Sequence, residues 1–245
     1  MIANIINGIK AYAKAMPLLL TLKLWKYFVI PMLISLTTLV VISSFAYSLS
    51  DAIGHYIANF WKWELGKETF EIISRFFSGL LILVFGLLIY KHIVLALSSP
   101  FMSPVSEKIE EYLYGRNHEH RTTSFKDQLV RGIRISLRNI TKELMITIPI
   151  LLLSVIPILG FFSTVFLFLI QAYYAGFGNI DYTLERHYNY KESIDFVSKN
   201  KGIAIGNGII FILFLLIPVV GVIFILPLSV TAATTETTRK IYTKE

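Results

Sequence analysis

Long runs without charged residues are the feature that most constrains this chain. They cover residues 27–50, 76–106, 144–180 and 202–235, and a Lys-His pair is the only interruption in the second run. A helix rises 1.5 Å per residue and a bilayer core is about 30 Å thick, so runs of this length suit a membrane. Only 16% of the residues are charged and 55% are hydrophobic, which leaves too few charges to solvate a soluble globule. We therefore predict an all-α integral membrane protein with a single membrane domain over residues 1–245.

The first run, residues 27–50, predicts a long transmembrane helix. Its 26-residue flank holds four lysines and no acid. A cleaved signal peptide is the competing interpretation, because Ala46-Tyr47-Ser48 resembles a small-x-small cleavage site. The long flank and the extended apolar stretch argue against cleavage, so we expect the helix to stay in the membrane.

The second run, residues 76–106, predicts a second transmembrane helix. The 15 residues before Lys91 span only about 22 Å, so we expect the helix to continue past Lys91 and His92. Lys91 would then lie within or near the bilayer. It would either snorkel towards a headgroup or line a polar passage.

The two longest runs, residues 144–180 and 202–235, share an Ile-Pro-x-x-Gly pattern near their centres. Proline removes a backbone donor and glycine permits a chain reversal, so each pattern predicts the tip of a helical hairpin. The predicted tip residues are Pro157, Gly160, Pro218 and Gly221. The arms before the tips have 13 and 16 residues, which is short for a full crossing and favours re-entrant, partly penetrating hairpins. Ordinary spans kinked by proline are the alternative.

The chain has a formal net charge of +7, and its basic residues are concentrated in particular segments. Lysine and arginine concentrate in the N-terminal flank, in residues 107–143, in residues 181–201 and at the C-terminal end. The positive-inside tendency places these segments in the cytoplasm and residues 51–75 outside, and re-entrant hairpins keep that arrangement. Because topology explains the basic excess, we expect no nucleic-acid partner.

Residues 126–142 predict a basic amphipathic helix at the membrane surface. The basic side chains on its shared face are Arg131, Arg134, Arg138 and Lys142. Such a helix can lie on anionic lipid headgroups. Alternatively, its guanidinium groups can form a vestibule that attracts tetrahedral oxyanions.

No pattern in the sequence predicts an enzyme. The chain has no cysteine, and it lacks the phosphate-loop, zinc-protease and serine-nucleophile motifs. The segment from His118 to His120 is a weak metal signal that we interpret as a solvated turn. Glu107, Glu110 and Glu111 predict a helix entrance rather than acid–base catalysis. We therefore expect no catalytic residue, no metal and no cofactor.

Four local patterns, taken together, resemble the CysZ-type sulfate permease family, which also includes the etoposide-induced membrane proteins. They are KYFVIP at residues 26–31, SPF at residues 99–101 followed by Glu107 and Glu110, DYTLERH at residues 181–187, and the paired Ile-Pro-x-x-Gly tips. Their order and spacing cover about residues 5–240.

The resemblance implies two transmembrane helices, two hemi-penetrating hairpins and a homo-oligomer in the bacterial cytoplasmic (inner) membrane. It also implies a permease or channel for sulfate or a related anion that supports sulfur assimilation. The family's anion site uses two adjacent arginines before the first helix's proline, and Trp25 and Lys26 occupy those positions here. A non-conducting membrane scaffold of the same fold is the alternative function.

The resemblance and the charges together give a set of candidate residues. For the anion site they are Lys23, Lys26, Arg131, Arg134 and Arg138. For the polar junctions that fasten the helix ends they are Pro100, Phe101, Glu107, Asp181, Tyr182 and His187. A carboxylate at a membrane edge needs a partner, so we expect Glu107 and Asp181 to pair with Arg131 or Arg186.

Overall fold

A computed structural model of the chain describes residues 1–58, 67–115, 123–153, 157–217 and 220–243. These residues form helices and no strand, which confirms the predicted all-α class. The α-helices are α1 (Ile2–Thr21), α2 (Val29–Ala58), α3 (Lys67–Tyr114), α4 (Phe125–Leu153), α5 (Pro157–His187), α6 (Tyr190–Lys199), α7 (Lys201–Leu215) and α8 (Val220–Tyr242). A 3-10 helix, Leu24–Phe28, lies between α1 and α2.

The chain divides into two compact units. Unit 1 comprises Met1–Ser35 and His92–Glu245, and unit 2 comprises Leu36–Lys91. Unit 2 holds most of α2 and the first half of α3, which approach each other where a Cβ on Gly86 would lie 3.2 Å from Ile42. Unit 1 holds the remaining helices and every candidate site residue.

Two helices among the described residues are long and apolar enough to cross a membrane. The qualifying segments are Leu24–Tyr47 and Phe85–Tyr114. The first is only 17% buried, as expected of a helix that faces lipid. α3 passes Lys91 without a break, which confirms the predicted continuation. The Lys91 side chain is 2% exposed, so it does not snorkel to a headgroup.

α4 is longer than the sequence suggested. We predicted an interfacial helix over residues 126–142 and a separate 13-residue hairpin arm, whereas a single helix runs over Phe125–Leu153. Glu143, the charge at the expected boundary, is fully buried and lies 2.9 Å from the imidazole of His92. This contact gives the Glu143 carboxyl a polar partner inside the protein, so the residue is accommodated within the helix.

Helix breaks occur where the Pro-Gly patterns predict them. α4 ends at Leu153 and α5 begins at Pro157, with Gly160 in its first turn. α7 ends at Leu215, α8 begins at Val220, and Pro218 lies outside the described residues. A Cβ on Gly221 would overlap the carbonyl oxygen of Phe214, so the chain reverses tightly there.

The helices on either side of each break pack antiparallel. Arg131 of α4 contacts Asp181 of α5, and eight residues further along α4 Asn139 contacts Tyr174. In the second pair, the amide of Asn207 donates to the carbonyl of Ser229. Each broken run is therefore a pair of antiparallel helices.

Small residues allow α7 to pack closely against α5. A Cβ on Gly208 would overlap the carbonyl oxygen of Ala172, and one on Gly176 would overlap that of Ala204. Close backbone approach of this kind is how helices associate where lipid removes the hydrophobic driving force. The two contacts fix the register between the hairpins.

The acidic residues after Ser106 do not begin a helix, so that prediction is wrong. Glu107, Glu110 and Glu111 lie in the last turns of α3, which ends at Tyr114. Carboxylates are disfavoured at a helix C-terminus because they meet the negative end of its dipole. Basic partners from α5 offset this effect at Glu110, as the next subsection describes.

Gly208→Ala should destabilise the protein by about 1–3 kcal/mol, because the new methyl group meets backbone that cannot move aside. The measurement is the thermal unfolding midpoint in detergent. Gly86→Ala is the control, since its methyl group would meet only the side chain of Ile42, and it should change the midpoint little. Equal midpoints for the two variants would contradict the close packing of α5 and α7.

Candidate functional site

The junction between α1 and α2 presents the predicted lysines to solvent. Lys23 has φ 51° and ψ 39°, a left-handed conformation in which the chain leaves the direction of α1. It is the single non-glycine residue with positive φ in the described part of the chain. Lys23, Trp25 and Lys26 are all exposed. The two positions at which the resemblance implies arginines therefore present an exposed indole and an exposed ammonium group.

Tyr27 brings a second lysine to this junction. The Nζ of Lys26 lies 5.7 Å from the centre of the Tyr27 ring, and the Nζ of Lys108 on α3 lies 5.4 Å from it. Neither lysine forms an ion pair with a described residue. We refer to Lys26 and Lys108 as the lysine pair. Sequence analysis missed Lys108, because its link to Tyr27 crosses 81 residues and exists only through the fold.

Arg131 is committed to an ion pair. Its Nε and Nη2 donate to the two carboxylate oxygens of Asp181 at 3.0 and 2.9 Å. Its remaining bonds go to Ser193 Oγ at 2.6 Å and to the Tyr188 carbonyl at 2.8 Å. The expected pairing of Asp181 with Arg131 is confirmed. Since its charge is neutralised and its donors are used, Arg131 fastens α4 to α5 and α6.

Arg134 and Arg138 point to different aromatic partners. The Arg134 guanidinium lies 4.0 Å from the centre of the Tyr190 ring, and that of Arg138 lies 5.1 Å from the centre of Phe177. Arg138 also donates to Asn139. No described contact joins either arginine to the lysine pair. The structure therefore does not gather the five predicted cations into one site.

A cavity of about 300 Å³ opens beside Arg134. We call it the basal cavity. The residues that line it are Thr123, Asp127, Val130, Arg131, Arg134, Glu185, Asn189 and Tyr190. Acidic and basic side chains both line this cavity, whereas the lysine pair has no acidic partner among the described residues.

Glu110 and Arg186 form the centre of a buried network where α3, α5 and α8 meet. Arg186 Nη2 donates to Glu110 Oε2 at 2.7 Å. Glu110 Oε1 lies 2.6 Å from His187 Nε2 and accepts from the Tyr242 hydroxyl at 2.7 Å. The acid was predicted as Glu107, which is exposed, so the pairing with Arg186 belongs to the residue one turn later.

The remaining predicted junction residues pack near this network. Tyr182 donates its hydroxyl to the carbonyl of Leu95 at 2.6 Å, which ties α5 to α3. Pro100 is buried within α3, and Phe101 meets Phe125 edge-to-face with ring centres 5.5 Å apart. His118 to His120 lie outside the described residues. Within the described part of the chain, no group of His, Asp and Glu side chains could hold a metal ion.

Polar residues recur along one buried face of α3. They are His92, Ser99, Ser103, Ser106 and Glu110, and each is no more than 3% exposed. α4 carries a matching buried row of Ser136, Asn139, Glu143 and Thr147. We call these two rows the polar seam. The spacing of 7, 4, 3 and 4 residues on α3 is a helical repeat, so the sequence held a signal for this face.

Glu185 of α5 faces the seam and accepts a hydrogen bond from the hydroxyl of Ser103. Burial, with a smaller contribution from the nearby Asp181 carboxylate, raises the pKa of this carboxyl from 4.5 to about 7. Ser103, Arg131 and Arg186 lower the pKa but do not offset burial. The side chain is therefore largely protonated below neutral pH.

The raised pKa of Glu185 predicts a pH-dependent stability. The folded state binds the proton more tightly than the unfolded state, so stability falls as pH rises from 4.5 to about 7. The loss is about 3 kcal/mol at 1.36 kcal/mol per pKa unit. Glu185→Gln should remove it, and the variant should exceed the wild type in stability at pH 8. The measurement is chemical unfolding in detergent across this range.

Asp195→Asn is the matched control for that series, because Asp195 is an exposed carboxylate on α6. Its stability should follow the wild-type pH curve. A Glu185→Gln variant that does the same would contradict the assigned pKa.

The chain matches the family described as sulfate transporter CysZ/etoposide-induced protein 2.4 over residues 11–225. The match includes the 3-10 helix, both candidate membrane-crossing helices, the first broken run and the central Pro-Gly pattern of the second. A search of curated proteins finds no match. Because the family match extends over most of the sequence, the chain belongs to the sulfate transporter CysZ/etoposide-induced protein 2.4 family.

Proposed function

We propose that this protein is a membrane permease or channel for sulfate or a related oxyanion. Membership in a family described as sulfate transporters supports transport rather than catalysis. The observation that carries the proposal is the lysine pair at Tyr27. It is an exposed cluster of positive charge without an acidic partner among the described residues.

The lysine pair has the chemistry of an anion-collecting mouth. Two ammonium groups near one aromatic ring keep their charge, and an incoming dianion can neutralise both. α2 begins at Val29, directly after the 3-10 helix, so the positive end of its dipole adds to the attraction. Lys23 contributes a third charge at the same junction. Ammonium groups are point charges and not bidentate forks, so they favour charge over planar geometry.

Arg131, Arg134 and Arg138 have a different place in this proposal. Arg131 is a structural residue, because Asp181 neutralises it. Arg134 and Arg138 are held on aromatic faces without an acidic partner in the described part of the chain. They would raise the local anion concentration but would not form the mouth.

The proposal includes a membrane topology. α2 and α3 would cross the membrane, and the pairs α4/α5 and α7/α8 would enter and leave on one side. α7 supports partial penetration, because its 15 residues reach only about 22 Å. We place both termini in the cytoplasm of a bacterial inner-membrane protein that assembles as a homo-oligomer.

Sulfate flux into proteoliposomes tests the transport proposal. Wild-type protein should admit radiolabelled sulfate faster than empty vesicles do. Lys26→Gln combined with Lys108→Gln should slow that flux about tenfold or more, as expected when interactions worth about 1.4 kcal/mol are lost. The matched control combines Lys14→Gln with Lys126→Gln, both exposed lysines on α1 and α4.

A non-conducting membrane scaffold is the alternative for this fold. It predicts flux equal to that of empty vesicles for all three proteins, while they remain folded by circular dichroism. If the control variant slows sulfate flux as much as the Lys26/Lys108 variant does, the effect comes from total charge. That result would contradict the role of the lysine pair as the anion-collecting mouth.

A further inference from the structure

The polar seam is buried and contains ionisable side chains, and the lysine pair is not part of it. It includes His92 and Glu143, whose side chains lie 2.9 Å apart at 3% and 0% exposure. His92 lies at the middle of the predicted span, residues 76–106. Ionisable groups at such a depth are expensive to bury, and they mark proton or substrate pathways in membrane proteins.

Two polar spaces lie along α4 before it reaches this pair. The basal cavity, of about 300 Å³, is lined by Arg131 and Glu185, and Glu185 accepts a hydrogen bond from Ser103 of the seam. Deeper in, a cavity of about 10 Å³ lies between Ser99, Ser136 and Asp181. That volume is close to the minimum that holds one water molecule, and the cavity is polar enough to hydrogen-bond it.

The deeper part of the seam continues along α4 towards the buried pair. Asn139 follows Ser136 by one helical turn, and Glu143 follows Asn139 by another. Thr147 Oγ1, a buried hydroxyl of the seam, has no hydrogen-bond partner in the described part of the chain. Buried hydroxyls are rarely left unsatisfied, so this atom indicates water in the seam.

The width of the seam excludes sulfate and suits protons. The arginines beside it, Arg131 and Arg186, are already paired with Asp181 and Glu110, so they are not free to bind an oxyanion. The 10 Å³ cavity admits water and nothing larger. A file of water, hydroxyls and carboxyls can pass a proton from group to group.

We propose that the polar seam is a half-channel that carries protons from the basal cavity to a proton-binding pair, His92 and Glu143. A proton that arrives adds to the neutral imidazole, and the imidazolium then pairs with the carboxylate of Glu143. On release, the proton returns to water in the seam. The inference deepens the proposed transport function, because a pair that binds protons at mid-span can link them to anion movement.

Other charged groups surround the pair and set its affinity for a proton. On α3 the neighbouring residue is Lys91, which is also buried. On α4 Arg138 precedes Glu143 by five residues. On α5 Tyr174 lies within electrostatic reach of both Arg138 and Glu143. Arg138 disfavours a further positive charge, and Glu143 favours it.

The test is nuclear magnetic resonance of the His92 imidazole in the full chain in nanodiscs, with 15N-labelled histidine. His92→Gln identifies its signal. We expect the signal to titrate with pH in the wild type, and Glu143→Gln should lower its midpoint by about one unit or more as the partnering charge is lost. The matched control, Asp195→Asn, should leave the midpoint unchanged. A His92 signal that does not titrate, or one that Glu143→Gln leaves unchanged, overturns the proposal.

Access through the seam is tested separately, and Ser99→Cys and Ser136→Cys keep this part falsifiable if Glu143→Gln fails to fold. The native chain has no cysteine. Both thiols should react with Ag⁺, an ion about as small as a water molecule, added from the side of the basal cavity. Val94→Cys, at a buried apolar site on α3, is the control and should not react. Thiols as inert as the control would overturn the half-channel. Neither readout requires sulfate flux, so failure here is distinguishable from failure of the proposed function.

Discussion

The ion pair between Arg186 and Glu110 is the interaction on which the arrangement of unit 1 depends. Both side chains are almost fully buried, and their 2.7 Å bond joins α5 to α3. Removing one partner would leave a buried charge uncompensated, which costs about 3–5 kcal/mol. Tyr242 brings α8 to the same carboxylate, so three helix ends meet at Glu110. With these ends fixed, the seam on α3 keeps its register against α4 and α5.

The same neutralisation rule separates structural cations from candidate functional ones. Arg131 and Arg186 each face a carboxylate, so they hold helices together and have no free charge to offer a substrate. Lys26 and Lys108 lie near the ring of Tyr27, and neither pairs with a carboxylate in the described part of the chain. In this account the oxyanion is drawn to the lysine pair, and protons use a separate interior route. The two routes differ because the arginines beside the interior route are already paired with carboxylates.

Local patterns in the sequence predicted a substantial part of this fold. Charge-free runs identified α2 and α3, and the Pro-Gly patterns identified the two helix breaks. Asp181 was paired correctly with Arg131. The sequence could not predict contacts between distant segments. Glu143, within α4, meets His92, which lies 51 residues earlier in the chain, and Lys108 reaches Tyr27 only through tertiary folding. The helical spacing of the polar residues on α3 can be recognised in the sequence. That spacing does not identify the residues on other helices that pack against this face.

The most direct test of the central claim is the current evoked by a sulfate concentration jump on solid-supported membranes that contain the protein. The account predicts a transient current carried by negative charge entering the vesicles, larger than that of protein-free membranes and strongly reduced when Lys26 and Lys108 are both changed to glutamine. A wild-type trace indistinguishable from the protein-free trace, obtained with folded protein, would contradict it.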